Sequence, residues 1–368
     1  MIFINDLKIP ADWTFGFRRD GRELLIVMSK ATYVMPNDGS QPVLADEQVE
    51  LTQADRFSGE PGLSAPLFET DYAHQKAACD VLLVGSAYAP GGRPRKRSDV
   101  GLRVGAFTKQ FAVVGDRHWR KRLMNVLASD PEPFQQMPLS YDVAFGGTDR
   151  TNEAEGRTDT YVANPVGRGY WRHASAADGK PLPNTEQLGH PADSHSGKYV
   201  PMAFSPIGRN WLPRVRYAGT YDQQWIENVA PLWPDDFDER YFQAAPPDQV
   251  IAFPVGGEQV VLKNLTPDGY CAFQLPTQRM PVTFVPHRGN DVTLPSNLDT
   301  LVFEPDQGRF TLTWRAVLPL GRSIFDVKET IVGERSPAWH RARRFPGKTY
   351  YANLAEAVRD RASKGRRP

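Results

Sequence analysis

Four side chains of metal-ligating type lie close together in one stretch of the sequence. They are His173, His190, Asp193 and His195. Imidazole and carboxylate groups are common zinc ligands, so a zinc site is one hypothesis for this stretch. However, the spacing matches no compact helical motif such as His-Glu-x-x-His, and residues 187–198 are rich in Gly, Pro and Ser. We therefore favour an exposed loop that binds no metal.

Other charged residues also invite a catalytic interpretation. Asp116 and Arg117 are adjacent and could form an acid with its electrostatic partner. We favour a turn-capping Asp116, with Arg117 paired to a buried carboxylate or to carbonyl groups. The carboxylates of residues 235–239 could bind a hard cation, but the spacing and the glycine of a calcium loop are missing. A solvated acidic turn is the favoured interpretation there.

Further catalytic patterns are absent from the sequence. Residues 84–88 lack the second glycine of the Gly-x-Ser-x-Gly motif of hydrolases. Residues 164–169 are rich in glycine but fit neither the phosphate-loop nor the dinucleotide pattern. The sequence therefore predicts a protein that is not an enzyme, with no catalytic residue, no cofactor and no bound metal.

Composition limits the classes of partner. The 368 residues suffice for one large domain or two ordinary ones, and 40% of them are hydrophobic. A formal net charge of +1 argues against a general role at nucleic acid or at a membrane surface. A basic loop at residues 93–97 is interpreted as a solvated loop tip, because no aromatic residues are interleaved with its charges.

The cysteines and the first residues bear on the compartment. Cys79 and Cys271 lie far apart and form no metal or redox motif. Two buried thiols in a reduced compartment are favoured, and a disulfide is the alternative. The first residues lack the basic flank and apolar run of a signal peptide, and no apolar run reaches transmembrane length. We expect a soluble, cytoplasmic protein.

Short strands joined by turns must position these residues, because 32 Pro and 30 Gly are spread along the chain. Apolar residues alternate on both sides of Gly105, which predicts a hairpin. Strands are also predicted at 23–35, 43–51, 80–88, 250–253, 258–263, 270–275, 282–285, 300–303 and 309–316. Asn353 and Glu356 have capping-box character, which predicts one short C-terminal helix.

The predicted fold class is mainly β: sandwich-like sheets of short antiparallel strands, with long loops and a short C-terminal helix. Residues 1–335 are predicted to form one β-rich domain, with a possible two-part organisation near residue 205. Residues 336–368 would form a C-terminal extension with the helix and a basic tail.

Residues 109–170 organise the chain. Short apolar runs are broken there by Pro, Gly, Asp and Asn, which is typical of tight turns and fixed loops. The residues predicted to hold these turns, and therefore to be structural, are Asp116, Arg117, Trp119, Phe145, Gly146, Gly147, Asn164, Pro165, Gly167 and Arg168.

Four motifs of this region resemble those of the type VI secretion adaptor or effector-chaperone family, long catalogued as a domain of unknown function. They are Gly-Asp-Arg-x-Trp at 115–119, Pro-x-Pro-Phe with Met-Pro-Leu at 131–139, Ala-Phe-Gly-Gly at 144–147 and Asn-Pro-x-Gly-x-Gly-Tyr at 164–170. All occur in the order of the family, and the resemblance runs from about residue 20 to about residue 330.

The resemblance implies a non-enzymatic adaptor that binds a secreted effector, or its PAAR-type tip domain, and helps to load it onto the VgrG spike. The implied partners are the effector, a PAAR-repeat tip protein and VgrG, with no nucleic acid and no membrane. The candidate contact residues are Trp171, Trp211, Trp225 and Trp233, since tryptophan is a typical interface anchor. Each could instead belong to the core.

A β-rich carbohydrate-binding or carbohydrate-active protein is the alternative function. The same tryptophans would then serve as platforms for sugar rings. No pair of carboxylates can be placed from the sequence at the separation that glycosidases use, so the adaptor interpretation is preferred.

Overall fold

Two β-sheets pack face to face around the main hydrophobic core. This computed structural model describes residues 1–37, 39–122, 125–321, 323–345, 347, 349, 351 and 354–364. Within them, the large sheet has seven strands, in the order Val250–Ile251, Cys79–Leu83, Asn297–Glu304, Arg309–Pro319, Glu23–Val34 and Ala11–Phe17, with Val43–Leu44 also paired to Glu23–Val34. The five-stranded sheet has the order Thr185–Glu186, Phe107–Val114, Arg97–Val104, Gln259–Lys263 and Tyr270–Gln274.

A third sheet covers the remaining part of the same face of the large sheet. Its order is Ile2–Ile4, Val327–Val332, Val282–Pro286 and Val292–Leu294. Side chains alternate between the two faces of a strand. Leu312 therefore shares a face with Ala316, and Leu312 packs in the core under the five-stranded sheet while Ala316 packs under the four-stranded one.

The opposite face of the large sheet is unusually polar for a buried surface. It carries Lys30, Thr313, Arg315 and Asp80, all of which are buried. Loops cover this face instead of another sheet: Asp71 lies over Lys30, and residues 243–245 lie over Asp80. Burying charges is costly unless they are paired, so this face depends on its hydrogen-bond partners.

Smaller elements complete the described residues. Two-stranded pairs join Arg56–Phe57 with Pro66–Phe68, Gly85–Tyr88 with Gln136–Leu139, Trp119–Arg122 with Asn125–Ala128, Phe145–Gly146 with Arg168–Gly169, and Thr148–Asp149 with Asp159–Thr160. The α-helices are Ala174–Ala177, Leu212–Val215, Gln223–Asn228, Pro337–Arg344 and Leu354–Lys364. The mainly β class and the short C-terminal helix are confirmed. Asn353 and the tail at 365–368 lie outside the described residues.

Most predicted strands are present, because their turns are encoded locally. The hairpin around Gly105 forms between Arg97–Val104 and Phe107–Val114, and Gly105 has a φ of 57°. A left-handed residue of this kind suits glycine, which has no Cβ. The predicted strands after residue 249 are found with small shifts of their ends. Strands at Ile2–Ile4, Ala11–Phe17, Val292–Leu294 and Val327–Val332 were not predicted.

Two predicted strands are shorter than expected. The strand predicted at 43–51 is limited to Val43–Leu44, because the side chain of Gln48 then takes the place of a partner strand. Its Oε1 accepts from the amide of Thr32 at 2.8 Å, and its Nε2 donates to the carbonyl of Thr32 at 3.1 Å. The run at 80–88 is divided at Val84 between the large sheet and a separate pair.

The possible division near residue 205 does not separate two sheets. Cys79–Leu83 pairs in parallel with Asn297–Glu304, and Arg97–Val104 pairs with Gln259–Lys263. Both large sheets therefore combine strands from before and after residue 205. The two parts of the chain share one main hydrophobic core.

Candidate functional site

The motif residues of 109–170 meet in one buried place, which we call the motif junction. It consists of Phe145–Gly146 paired in parallel with Arg168–Gly169, together with Asn164 and Trp119. The side-chain nitrogen of Asn164 donates to the carbonyl of Phe145 at 3.1 Å. The indole nitrogen of Trp119 donates to the carbonyl of Gly169 at 3.0 Å. The junction therefore ties the loops together through hydrogen bonds to backbone atoms.

Glycine is required at the motif junction because the backbones approach very closely. Gly146 has a φ of 152°, and a Cβ placed there would lie 2.2 Å from the carbonyl oxygen of Asn164. A Cβ at Gly147 would lie 2.6 Å from the carbonyl oxygen of Gly167. Pro165 directly follows Asn164, and its carbonyl accepts a hydrogen bond from the hydroxyl of Thr148. These contacts describe packing and suggest no chemistry.

The charged motif residues have partners that are distant in the sequence. Arg117 is buried, and its Nη2 donates to Oε1 of buried Glu186 at 2.6 Å. Asp116 accepts from the side chain of Asn184 at 2.9 Å and lies 3.8 Å from the guanidinium of Arg168. Desolvation by burial lowers the pKa of Arg168. The arrangement connects the turn after Phe107–Val114 to the strand Thr185–Glu186.

The candidate metal ligands do not share a site. They are His173, His190, Asp193 and His195. Nδ1 of His195 lies 2.7 Å from the carbonyl oxygen of Trp171, and Asp193 accepts from the hydroxyl of Tyr199 at 2.5 Å. No group of three or more His, Cys, Asp and Glu side chains that could hold a metal ion occurs in the part of the chain that the structure describes.

The carboxylates of the acidic turn also have separate partners. Asp236 accepts from the hydroxyl and the amide of Thr220, and these bonds lower its pKa. Asp238 accepts from the guanidinium of Arg240, which lowers the pKa of Asp238. The turn is therefore held by side-chain caps and one local ion pair.

The four candidate tryptophans have different environments. Trp211 is only 3% exposed and packs edge-on against Tyr141 at 5.3 Å. The expectation that Trp211 is an exposed contact residue is wrong, because it is a core side chain. Trp171, Trp225 and Trp233 are partly exposed. The ring of Trp171 is faced by the ammonium group of Lys180 at 5.3 Å.

Two of these tryptophans belong to a larger apolar surface. We call it the aromatic surface, and it consists of Phe15, Phe17, Tyr221, Trp225, Ile226, Leu232 and Trp233. Phe15 is 41% exposed, Phe17 48% and Ile226 58%. The indole nitrogen of Trp233 donates to the carbonyl of Phe17 at 3.2 Å, and that of Trp225 donates to the carbonyl of Leu232 at 2.9 Å. These bonds attach the loop that carries Trp225, Leu232 and Trp233 to the end of the strand that carries Phe15 and Phe17.

Local sequence explains how the outer part of the aromatic surface is presented. Asp222 caps the helix Gln223–Asn228, and its carboxylate accepts from the amide of Trp225 at 2.9 Å. Asp is a favoured N-cap residue because it satisfies an amide that has no partner within the helix. Tyr221 packs edge-on against Trp225 at 4.8 Å. The helix therefore starts at a fixed residue and exposes Ile226.

A groove lies beside the aromatic surface. It consists of two adjoining cavities of about 640 Å³ and 400 Å³, which share Leu24, Gln75, Ala77 and Glu239. The smaller cavity is lined by Phe17 and by aromatic rings of the loops, namely His74, Trp233, Phe237 and Phe242. Cavities of this size accept side chains or small ligands.

The larger cavity has a charged floor whose charges are paired. Nε of Arg315 donates to Oδ2 of Asp299 at 2.6 Å, and Nζ of Lys76 donates to Oδ2 of Asp80 at 2.7 Å. The guanidinium of Arg18 also lines this cavity and is exposed. Among the described residues, the side chain of Arg18 has no hydrogen bond or ion pair. It is therefore available to an acidic group.

His74 gives the smaller cavity an apolar character at neutral pH. Its ring stacks on Phe242 at a centroid distance of 5.1 Å. Burial lowers its pKa from the usual 6.5, and the positive charge of Arg315 lowers it further. Sequence reasoning did not identify His74 or the strand Ala11–Phe17. The alternation of Trp13, Phe15 and Phe17 was the signal that could have revealed the strand.

The cysteines and the helices complete the description. Cys79 and Cys271 are both free and buried. Desolvation raises the pKa of Cys271 to about 11, so its thiol is protonated and weakly reactive. Within the described residues, the structure contains no helix with the length and apolar character needed to cross a membrane.

Comparison with known proteins places the chain in one family. The model of family DUF2169, described as an uncharacterized protein conserved in bacteria, matches residues 20–315. This range includes the motif junction and most of both large sheets. No curated protein and no solved structure matches the chain. The protein therefore belongs to the bacterial DUF2169 family.

Proposed function

We propose that this protein is a non-enzymatic adaptor that binds one protein client in the bacterial cytoplasm. The client is a type VI secretion effector or its PAAR-type tip domain, and the adaptor helps to load it onto the VgrG spike. The resemblance of the four motifs in residues 115–170 to those of secretion adaptors supports this proposal. The family description itself names no activity.

The aromatic surface is the observation that carries the proposal. Contiguous exposed apolar patches on folded proteins often mark protein interaction sites. Here the patch combines partly exposed Trp225 and Trp233 with exposed Phe17, and tryptophan is among the commonest interface anchors. The hydrogen bond from the indole of Trp233 to the carbonyl of Phe17 fixes the position of the loop relative to the strand before a client binds. Pre-organisation of this kind lowers the entropy cost of association.

Binding alone would account for a chaperone effect. When the free concentration of the adaptor is a hundred times its Kd for the client, the folded client gains roughly 2.7 kcal/mol of stability. Differences of this size change the steady-state level of a marginally stable protein in cells. Turnover of a substrate is not required for such an effect.

The test is deletion of the gene in a strain that carries a tagged candidate effector. We expect the level, solubility and delivery of the effector to fall and to be restored by the wild-type gene. An Ile226→Asp variant should fail to restore them, because it places a charge in the aromatic surface. A Tyr270→Asp variant is the matched control, since Tyr270 is 60% exposed and lies on an edge strand of the other large sheet.

Two results would contradict the adaptor role. One is an unchanged level and delivery of every tagged effector in the deletion strain. The other is specific binding or hydrolysis of glycans by the purified protein, which would favour a carbohydrate-directed function. Thermal unfolding of both variants must match that of the wild type, so that loss of the fold does not explain loss of binding.

A further inference from the structure

The strand Ala11–Phe17 forms one outer edge of the large sheet. It pairs with Glu23–Val34 on one side, with Trp13 opposite Val27. In an antiparallel pair, opposed residues alternate between hydrogen-bonded and non-hydrogen-bonded positions. Just before the strand, the carbonyl of Pro10 accepts a hydrogen bond from the amide of Lys30. Just after it, the amide of Arg18 donates to the carbonyl of Arg22. Even-numbered residues therefore face the partner strand, and odd-numbered residues face outward.

The outward backbone groups of this strand are only partly satisfied. The amide of Trp13 donates to the carboxylate of Asp12 at 2.8 Å, and the carbonyl of Phe17 accepts from Trp233. Within the described residues, no hydrogen bond is formed by the amides of Phe15 and Phe17 or by the carbonyls of Trp13 and Phe15. These unpaired amides and carbonyls have the spacing of an edge strand onto which another strand can pair.

We propose that the client contributes an extended segment that pairs with the outer edge of Ala11–Phe17 and becomes an additional strand of the large sheet. This inference rests on the proposed adaptor function and specifies how the client is held. The segment is predicted to carry alternating large apolar side chains and an acidic residue. Its backbone would bond to the amide and carbonyl of Phe15.

The chemistry of the segment follows from the surroundings of the edge. Phe15 and Phe17 project from one face of the strand, so an apolar side chain of the added strand would lie beside them as a cross-strand neighbour. Arg18 directly follows the strand, and its unpaired guanidinium favours an acidic residue at that end of the segment. Backbone bonds would supply affinity, and these side chains would supply selectivity.

Around Phe15 the edge lacks features that usually prevent such pairing, whereas its end at Phe17 is covered by the indole of Trp233. Natural edge strands are commonly protected by lysine, proline, a bulge or a covering loop. Ala11–Phe17 contains neither lysine nor proline, and its register with Glu23–Val34 is regular throughout. The outer strand of the five-stranded sheet, Tyr270–Gln274, provides the internal comparison, since it also exposes an aromatic side chain, that of Tyr270.

The probe is a displayed library of random peptides selected on the full-length protein. We expect enriched peptides to show alternating apolar residues with an acidic residue near one end. A synthetic enriched peptide, at a hundredfold excess over its Kd, should slow hydrogen–deuterium exchange at the amides of Phe15 and Phe17 by up to about a hundredfold. The amides of Thr14 and Gly16, which face Glu23–Val34, should be unchanged.

Three variants test the geometry. Phe15→Pro removes both an outward amide and the exposed phenyl ring, so it should weaken peptide binding roughly tenfold or more. The fold should persist, because proline is tolerated at outward positions of edge strands. Arg18→Gln should weaken binding of acidic peptides by roughly fivefold and leave the thermal midpoint unchanged. Tyr270→Lys, on the other edge, should leave binding unchanged. If Phe15→Pro fails to fold, the exchange measurement and the Arg18→Gln variant still test whether the segment pairs with this edge.

Several outcomes overturn the inference. One is the absence of enriched peptides, and another is peptide protection confined to sites other than Phe15 and Phe17. A third is protection of Phe15 that rises with protein concentration alone, which would indicate pairing with a second copy. A client that co-purifies equally with wild type and with Phe15→Lys would also overturn it while leaving the adaptor role intact. A wild-type protein that holds no client, yet binds peptide at this edge, would contradict the adaptor role instead.

Discussion

Arg117 and Glu186 form a buried ion pair, with 2.6 Å between Nη2 and Oε1, although 69 positions separate them in the sequence. Glu186 also accepts from the amide of Ala192 at 3.0 Å. The pair thereby joins the turn before Trp119 to the loop after Thr185–Glu186. Its position in the motif region makes it a direct test of the structural role assigned to these residues.

The first prediction concerns this pair. Arg117→Met should lower the free energy of unfolding by roughly 3 kcal/mol or more, because it leaves a buried carboxylate without its main partner. The double variant Arg117→Met/Glu186→Leu should lose less than the sum of the two single variants. Urea denaturation of all four proteins measures the coupling. Strictly additive losses would show that the pair does not act as a unit.

The second prediction concerns Trp119, which is fully buried. Trp119→Ala should cost roughly 3 kcal/mol or more, because it removes a large buried ring. Trp119→Phe keeps much of the apolar volume but loses the hydrogen bond to the carbonyl of Gly169. Loss of this bond should lower the free energy of unfolding by about 1 kcal/mol. Chemical denaturation checks both values. An unchanged midpoint for Trp119→Ala, accompanied by loss of client binding, would identify a contact residue instead.

The third prediction compares two glycines with positive φ. Gly156, with a φ of 71°, has open space around its Cα, whereas a Cβ at Gly146 would collide with the carbonyl of Asn164. Gly156→Ala should cost roughly 1–2 kcal/mol from backbone strain alone. Gly146→Ala should cost clearly more, since backbone atoms must move apart. Thermal unfolding measures the difference, and equal effects would refute the close approach.

The fourth prediction concerns pH. Burial lowers the folded-state pKa of His74 below 6.5, so the unfolded chain binds the proton more tightly than the folded one. The contribution of neutral His74 to stability is present above the unfolded pKa and is lost as pH falls through it toward the lower folded pKa. His74→Phe should therefore reduce the loss of stability below about pH 6.5. Parallel stability curves for both proteins would contradict this assignment.

The fifth prediction concerns metal. Purified protein should contain no stoichiometric zinc, because His195 and Asp193 have separate hydrogen-bond partners. Elemental analysis of the wild type and of a His190→Ala/His195→Ala variant measures this directly. Near-stoichiometric zinc in the wild type that disappears in the variant would establish a site.

The sequence by itself determined the local features of the fold. Alternation around Gly105 specified a hairpin, since a two-residue period places one face of each strand on the core and glycine permits the turn. The short strands after residue 249 were visible for the same reason. The strand predicted at 43–51 is limited to Val43–Leu44, because the side chain of Gln48 competes with the backbone for the hydrogen-bonding groups of Thr32.

Only the tertiary structure decided which surfaces are exposed and which residues meet. Trp211 and Trp225 have the same side chain, yet one is core and the other lies on the aromatic surface, because burial depends on the elements that cover each ring. Phe17 and Trp233 meet across 216 positions of sequence. This contact arises because a loop folds back onto the end of a strand, and no local pattern of residues encodes it.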